Sequence, residues 1–495
     1  MHKVVAQMSL QIIKKRILYS TVGKRIAYDF FVSLVTLFVV FFTFNVFNQY
    51  ISGGESIFIF PLLFTSFNYL FGLYSQFKMS PIFVKASLIL ISGFLTTIVL
   101  AILHLFFLPF AIGVIFILAL TILPRIFFNI YSQKNYHKLF NSFVQDGAPI
   151  LVVGGGGYIG SVLVEKLLQI GYKVRVFDKF IYGKSVLKDL MKNKQLEIIE
   201  GDISDLYQLT RALNNVQAVV HLAAIVGDPA ASLDEKLTRH VNIISTRMLK
   251  ETVKAFNIPR FIFASSCSLY GATDSEANEN SPLNPLSLYA STKIDAEQEL
   301  LLDTYDDFHP TILRFGTVFG HSRRPRFDLV ANLFVAQAFT NGIITVTNGM
   351  QYRPFIHVRD VANAIIKVLE ADQDKVSRQI FNVGDNELNV TISDMAKTVK
   401  RIVSKDKKVK IKIDKRDLDR RNYRVSFNKI NKILEFKAEK SLEEGLKELY
   451  ANFKNGTYNK RYDDPSYSNY EMTKEMRKEF HTNKYGEQHY SLISQ

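Results

Sequence analysis

The feature that most restricts the fold is a glycine-rich turn between an apolar run and a helical pattern. Pro149–Val153 is apolar, and Gly154-Gly155-Gly156-Gly157-Tyr158-Ile159-Gly160 follows it directly. Gly154 permits a tight turn, Gly157 lets the backbone approach a diphosphate, and Gly160 lets the helix pack on the strand. The order of strand, turn and helix therefore predicts a dinucleotide site with its diphosphate at the helix N-terminus.

An acidic residue follows the second apolar run at the distance that such a site requires. Lys173–Phe177 ends at Asp178, which lies 24 residues after Gly154. A carboxylate there binds the ribose hydroxyls of NAD and repels the 2′-phosphate of NADP. The neighbouring Lys179 weakens this preference. We nevertheless predict NAD as the cofactor.

Apolar runs continue to alternate with helical stretches. Leu196–Glu200, Ala218–His221 and Arg260–Ala264 are three further runs, and small or polar residues follow each of them. Such alternation predicts an α/β fold with a doubly wound parallel sheet, the Rossmann type. Ligands of these sheets bind at the carboxyl ends of the strands, so the residues after each run are expected to line one site.

A tyrosine and a lysine four residues apart begin a later helical stretch. Tyr289 and Lys293 fall on one helix face at this spacing. An ammonium group beside a phenol stabilises the phenolate and lowers the pKa of the tyrosine. The pair therefore predicts a proton acceptor that works near neutral pH.

The first 147 residues differ in composition from the rest of the chain. They hold 23 of the 40 Phe and three acidic residues. A helix needs about 20 apolar residues to cross a bilayer. Residues 27–47 and 57–77 supply two such segments, and the 39 uncharged residues between Lys85 and Arg125 are long enough for two more. Because Pro109 and Gly113 interrupt that stretch, we predict four spans, the last two at about 86–107 and 110–130.

Basic residues flank the predicted spans on alternate sides. Lys and Arg precede the first span, separate the second from the third and follow the fourth, whereas the other two loops have none. The positive-inside rule then places both ends of the chain in the cytoplasm. We expect an integral membrane protein with a cytoplasmic catalytic domain.

From residue 148 to residue 454 the sequence resembles the extended short-chain dehydrogenase/reductase family, the NAD-dependent nucleotide-sugar epimerases and dehydratases. The resemblance rests on the glycine turn, the Y-A-S-T-K motif at Tyr289–Lys293, the S-S-C-S-L-Y-G run after Ser265, and Arg314. It implies that Tyr289 is the acid/base, that Lys293 holds the nicotinamide ribose, and that Ser266 binds the reacting hydroxyl. The implied cofactor contacts are Gly154, Gly157, Tyr158, Ile159, Gly160, Asp178, Asp202, Ile203, Ala223, Ala224, Asn242, Tyr289 and Lys293.

Three positions depart from the patterns of other enzymes in the family. Dehydratases have an acid pair, and sugar-acid decarboxylases a glutamate, where this chain has Cys267 and Ser268. Without that acid, the resemblance favours a 4-epimerase that works through a transient keto-sugar. Keto-sugar reduction or alcohol oxidation stays open. Thr317 replaces an asparagine that is usual in UDP-hexose 4-epimerases, which argues against UDP-galactose-type chemistry.

We expect substrate contacts in the S-S-C-S-L-Y-G run and in the second half of the domain. Arg353 lies where the family has a diphosphate-binding arginine, and Arg416 and Asp419 have the spacing of another diphosphate and ribose contact. Arginine suits this task because its planar fork binds two oxygens at once. The predicted substrate contacts are Ser266, Cys267, Ser268, Thr317, Arg353, Arg416 and Asp419.

Charge and cysteine content exclude several other classes of site. The net charge is +15, but Lys405–Lys412 alternates Lys with Val and Ile, as a strand with one solvated face does. No nucleic-acid motif accompanies it, so we expect no nucleic-acid partner. A single cysteine, Cys267, rules out an intrachain disulfide and a multi-cysteine metal site. We expect no metal.

The apolar N-terminal region resembles the membrane region of bacterial capsule and O-antigen dehydratases. The predicted organisation is a membrane module (1–131), a connector (132–147), an NAD-binding Rossmann domain (148–317), a substrate-binding lobe with interleaved sheet contributions (318–455) and a tail (456–495).

This resemblance implies an enzyme of surface polysaccharide or glycolipid biosynthesis at the bacterial inner membrane. The implied partners are a nucleotide-sugar, membrane lipid and a second copy in a homodimer that uses the helix from Tyr289. Two alternatives stay open, namely an enzyme for a polyprenyl-linked sugar and a catalytically silent NAD-binding scaffold.

Overall fold

A parallel sheet with helices on both faces organises the part of the chain that the structure describes. The structure is a computed structural model, and it describes residues 147–273, 275–302, 308–414, 421–458 and 461–482. The four predicted spans lie outside these ranges. Within the ranges, no helix combines the length and the apolar character that crossing a membrane requires.

The strands are short, and the runs predicted from the sequence are among them. In chain order they are β1 (Ile150–Val153), β2 (Val174–Asp178), β3 (Leu196–Glu200), β4 (Ala218–His221), β5 (Arg260–Ser266), β6 (His309–Phe315), β7 (Thr317–Phe319), β8 (Ile343–Thr347), β9 (Tyr352–His357), β10 (Ile380–Val383), β11 (Asn389–Thr391) and β12 (Lys410–Asp414).

The helices connect these strands and cover the sheets. In chain order they are α1 (Tyr158–Gln169), α2 (Leu206–Ala212), α3 (Asp228–Ala231), α4 (Glu235–Arg239), α5 (Ser245–Ala255), α6 (Leu288–Leu302), α7 (Val330–Asn341), α8 (Val358–Glu370), α9 (Gln373–Val376), α10 (Ile392–Val403), α11 (Asn428–Leu434), α12 (Leu442–Lys454) and α13 (Asn469–Thr482).

Seven strands form the main sheet in the order β10-β6-β5-β4-β1-β2-β3, and every neighbouring pair is parallel. The predicted doubly wound parallel sheet is therefore confirmed. All four residues of β1 are buried, as are those of β4, which explains why these strands read as continuous apolar runs. The strand order reverses between β1 and β4, and the carboxyl ends there open a crevice for ligands.

A second, smaller layer follows the main sheet in sequence. It contains the sheet β11-β9-β7 and the parallel pair β12-β8. Helices α7, α10 and α12 pack on it around a separate apolar cluster that includes Phe334, Met395 and Leu446. The chain returns to the main sheet through β10, so the two layers interleave in sequence.

Candidate active site

A large cavity lies at the carboxyl ends of the central strands. Its volume is about 1250 Å³, and the glycine turn, the ends of β2, β4 and β5, and the start of α6 all contribute to its wall. It brings together most of the side chains predicted from the sequence. Those lining it are Gly154, Gly157, Tyr158, Ile159, Gly160, Asp178, Asp202, Ile203, Ala223, Ala224, Ser266, Ser268, Tyr289, Lys293, Thr317 and Arg353.

The glycine turn holds the N-terminus of α1 open towards this cavity. Gly154 has a φ of +88°, which favours glycine. A Cβ at Gly160 would lie 2.2 Å from the carbonyl oxygen of Gly154, so any side chain there would push the helix away from the turn. Gly157 caps the helix in an extended conformation and has no side chain to occupy the first N–H groups. These groups are free to bind an anion.

Asp178 lies at the end of β2 beside the turn. One carboxylate oxygen accepts a hydrogen bond from the Gly156 N–H at 2.8 Å, and the other accepts one from the Phe180 N–H at 2.6 Å. Burial raises the pKa of Asp178, and the two backbone donors oppose that rise. The carboxylate thus positions the turn in addition to facing the cavity, where the ribose contact is predicted.

Asp202 lies at the end of the next strand and is held by its neighbours. Its carboxylate accepts hydrogen bonds from the backbone N–H and the hydroxyl of Ser204 at 2.8 and 2.6 Å. It also lies 3.3 Å from the ammonium group of Lys179. These partners outweigh the cost of burial and lower the pKa of Asp202. The group therefore remains a carboxylate at this edge of the cavity.

The residues fit the NAD that the resemblance implies. Arg324 is buried on the cavity wall, with its guanidinium 3.7 Å from the ring centre of Tyr182. Two of its N–H groups have no hydrogen-bond partner within the described residues. An unpaired buried guanidinium is costly, and a diphosphate would satisfy it. Together with the open helix N-terminus it suits the cofactor's diphosphate, while Asp178 suits its ribose.

The predicted catalytic residues lie together at the end of β5. Burial raises the pKa of Tyr289 to about 12, and a hydrogen bond with Ser266 acts in the opposite direction. Burial also lowers the pKa of Lys293 to about 7. The Lys293 ammonium donates to the Ala264 carbonyl oxygen at 2.8 Å and lies over the ring of Phe263. The lowered phenol pKa expected from the sequence is therefore not found in this structure, because burial dominates both groups.

The buried side chain of Asn242 holds two segments of the site together. Its side chain accepts from the Ile225 N–H at 2.8 Å and donates to the Ile225 carbonyl oxygen and to the Thr292 hydroxyl, both at 3.1 Å. It is 1% exposed and does not line the cavity. Asn242, predicted as a cofactor contact, instead ties the loop after β4 to the helix that carries Tyr289.

Cys267 also differs from the sequence prediction. Its side chain is fully buried, and Sγ lies 3.2 Å from the Arg314 carbonyl oxygen, with the thiol as donor. Burial raises the pKa of the thiol. The predicted substrate contact is not seen, because the neighbouring residues turn to opposite sides: Ser266 and Ser268 line the cavity and Cys267 faces the core.

The other predicted substrate residues fall into two groups. Arg353 lines the cavity, but it donates to the carbonyl oxygens of Tyr352 and Arg421, so it also holds the segment after residue 420. Arg416 and Asp419 lie outside the described residues.

Two further parts of the cavity wall were not predicted from the sequence. Asp228 forms an ion pair with Arg421 at 2.7 Å, and both line the cavity. The second part is α13, which lies in the predicted tail and contributes Asn469 and Glu479. The Gly227-Asp228-Pro229 run after β4 was a usable signal, since it begins a helix at a strand end. No local pattern marks α13.

Comparison with known proteins gives relatives with the same architecture. The NAD dependent epimerase/dehydratase family matches residues 150–384. The chain is 30% identical to a putative UDP-glucose 4-epimerase of Methanocaldococcus jannaschii over 242 residues, 48% of this chain and 76% of that protein. It is 28% identical to a UDP-glucuronate 4-epimerase of Thermodesulfobacterium geofontis over 313 residues, 60% of this chain and 93% of that protein.

A solved structure supports the same assignment. The UDP-glucuronic acid 4-epimerase of Bacillus cereus, in complex with UDP-glucuronic acid and NAD, matches with a TM-score of 0.56 and 26% identity. The match covers 62% of this chain and 99% of that one. Sequence, site geometry and these relatives agree: the chain belongs to the NAD-dependent epimerase/dehydratase family and is an NAD-dependent enzyme of the extended short-chain dehydrogenase/reductase type.

Proposed function

We propose that this enzyme is a nucleotide-sugar 4-epimerase. The observation that carries the proposal is the content of the turn after Ser266. Cys267 faces the core, and the Ser268 hydroxyl lies 2.9 Å from that of Ser266. Neither side chain can supply the extra acid that dehydration or decarboxylation needs. The relatives described above as UDP-glucose and UDP-glucuronate 4-epimerases support the same reaction class.

The chemistry requires a reversible proton transfer at one sugar hydroxyl. NAD, when bound, supplies the hydride acceptor and donor. Tyr289 takes the hydroxyl proton and later returns it, while Ser266 holds the sugar oxygen by a hydrogen bond. Lys293 lies one helical turn after Tyr289 on the same helix, and the family resemblance assigns it to the nicotinamide ribose. Because the proton returns to oxygen, inversion depends on the carbon: the transient keto-sugar must turn its other face towards the nicotinamide before hydride would return to C4.

The test is turnover by the full-length protein in detergent. We would incubate it in D₂O with NAD and either UDP-glucose or UDP-glucuronate and read the product by NMR and mass spectrometry. We expect inversion at C4 without deuterium at carbon, because the hydride does not exchange with solvent. A 4-keto-6-deoxy product, or deuterium at carbon, would refute the 4-epimerase proposal.

Variants test the assignment of the proton acceptor. Tyr289→Phe is expected to reduce turnover by about 10²- to 10⁴-fold. NADH affinity should stay within a few-fold. Tyr172→Phe is the matched control, because the Tyr172 hydroxyl bonds to Glu370 on the surface away from the cavity. Equal losses in both variants would contradict the role of Tyr289.

The proposal extends to the cellular context. Four apolar segments with alternating flanking charge support an enzyme anchored in the bacterial inner membrane, with its catalytic domain in the cytoplasm. The resemblance of this region to that of capsule and O-antigen dehydratases supports a role in surface polysaccharide or glycolipid synthesis. Carbonate extraction and protease accessibility of inverted vesicles test the anchoring, and extraction of the protein at high pH would contradict it.

Two rival functions have direct tests. A polyprenyl-linked sugar is the alternative substrate, since spans would offer a place for its lipid; conversion of only the lipid-linked pool would favour it. A silent NAD-binding scaffold is the other, and any NAD-dependent turnover excludes it. A homodimer through the helix from Tyr289 is expected from the family resemblance, and light scattering in detergent tests it.

A further inference from the structure

Helix α13, the last helix in the described residues, lies over the cavity that holds the candidate cofactor site. Asn469, Tyr470, Met476, Glu479 and Phe480 all line that cavity. Met476 and Phe480 also pack on the apolar cluster that contains Tyr289. The helix therefore borders both the candidate cofactor site and the cluster that contains Tyr289.

Specific polar contacts hold the start of this helix across the opening. The Asn469 side chain accepts a hydrogen bond from the Tyr182 hydroxyl at 3.1 Å and donates to the Val226 carbonyl oxygen at 3.1 Å. Tyr182 follows β2 and Val226 follows β4, so one buried side chain bridges two walls of the cavity. Phe480 packs on His240 at the far end. These contacts hold α13 in a defined position on the cavity wall.

A cluster of three charges lies where the helix meets the end of β2. Lys179 follows Asp178 directly, and its ammonium lies 2.7 Å from the Glu479 carboxylate and 3.3 Å from that of Asp202. Asp178 is the acid expected at the adenosine ribose. A lysine next to it would attract the 2′-phosphate that distinguishes NADP from NAD. Here two carboxylates surround that lysine, and one of them comes from α13.

We propose that α13 is part of the dinucleotide site and that Glu479 makes the site selective for NAD by neutralising Lys179. The Glu479 carboxylate offsets the positive charge of Lys179 beside the ribose acid and itself repels a 2′-phosphate. This explains how a site with a lysine after its ribose acid belongs to an NAD-dependent family. The inference concerns cofactor binding alone and does not depend on the sugar substrate proposed above.

The test compares the affinities of the full-length protein for NADH and NADPH by nicotinamide fluorescence, without any sugar. Glu479→Gln is expected to lower the ratio of the NADPH to the NADH dissociation constant by about two- to fivefold, because one charge interaction at a partly exposed site changes. Glu475→Gln is the matched control: it lies one turn earlier on α13, pairs with Lys478 and does not line the cavity. It should leave the ratio unchanged.

Two additional measurements separate selectivity from general damage. Lys179→Met should remove most of the effect of Glu479→Gln, since the lysine is the group that Glu479 neutralises. NAD should slow amide hydrogen exchange in residues 469–482. An unchanged ratio in Glu479→Gln, including an equal loss of affinity for both cofactors, would overturn the role of Glu479. Exchange in 469–482 that does not respond to NAD would overturn the place of α13 in the site.

Discussion

The buried ion pair of Glu297 and Arg314, which Ser265 on β5 also contacts, allows a sharp test of how α6 packs on the main sheet. Arg314 on β6 donates from Nε to Oε1 at 3.0 Å and from Nη2 to Oε2 at 2.6 Å of Glu297 on α6. Ser265, next to the predicted catalytic Ser266, donates to Oε1 at 2.5 Å. The two charged side chains are 3% and 4% exposed. Removing the carboxylate would leave a buried guanidinium without its counter-charge.

Glu297→Gln keeps the volume of the side chain, so its effect isolates the charge. Breaking a buried ion pair by removing one partner costs about 3–5 kcal/mol. We expect a loss of that size in the free energy of unfolding. Asp295→Asn on the same helix is the control, because Asp295 is 41% exposed and pairs with Arg239 at 3.4 Å. An exposed pair of this kind is worth less than about 1 kcal/mol.

Urea unfolding of the full-length protein in detergent, followed by circular dichroism, measures both variants. The chain contains no tryptophan, so the helical signal is the better probe. A loss for Glu297→Gln that matches the loss for Asp295→Asn would refute the conclusion that this ion pair is buried and essential to the core. Intact NADH binding in the control would show that the helix keeps its place.

Three further predictions follow from buried groups at the site. Burial lowers the pKa of His221 to about 3, so between pH 6.5 and 3 the unfolded state binds one more proton than the folded state. Stability should therefore fall with falling pH by up to about 1.4 kcal/mol per pH unit more than in His221→Gln, and equal slopes in urea titrations at pH 6 and 5 would contradict this. Gly160→Ala places a Cβ 2.2 Å from the Gly154 carbonyl oxygen and should abolish NADH binding; affinity within twofold of the wild type would show that the turn adapts. Asp178→Asn should weaken NADH binding about tenfold, since hydrogen bonds to a charged group are lost or weakened, and calorimetry showing no change would remove Asp178 from the site.

The local motifs could be predicted because they depend on short stretches of chain. The strand, glycine turn and helix at residues 150–169 form one continuous unit, and its conformational needs are visible in the glycines themselves. Tyr289 and Lys293 meet the same cavity because four residues make about one helical turn. The carboxyl ends of parallel strands share one edge, so Asp178, Asp202 and Ser266 could be expected to line one site.

The directions in which side chains point could be predicted from the sequence only in part. Ser266 and Ser268 face the cavity while Cys267, between them, faces the core. Ser266 ends β5 and Cys267 begins a short 3-10 helix, so the alternation of side chains along a strand does not predict these directions. Asn242 is different: its hydrogen bonds to Ile225 and Thr292 join segments 17 and 50 residues away in sequence. No local pattern distinguishes such a brace from a ligand contact.

The order of strands and helices, the glycine turn and the catalytic spacing follow from the sequence alone, because propensity, periodicity and spacing act over one or two turns of chain. The charge state of the predicted catalytic pair is a tertiary property, since burial moves the pKa values of Tyr289 and Lys293. The contact of Glu479 with Lys179, two residues that lie 300 positions apart in the sequence, is a second tertiary property. Such long-range contacts arise when separate elements bury their apolar faces together, and that packing decides which distant side chains meet.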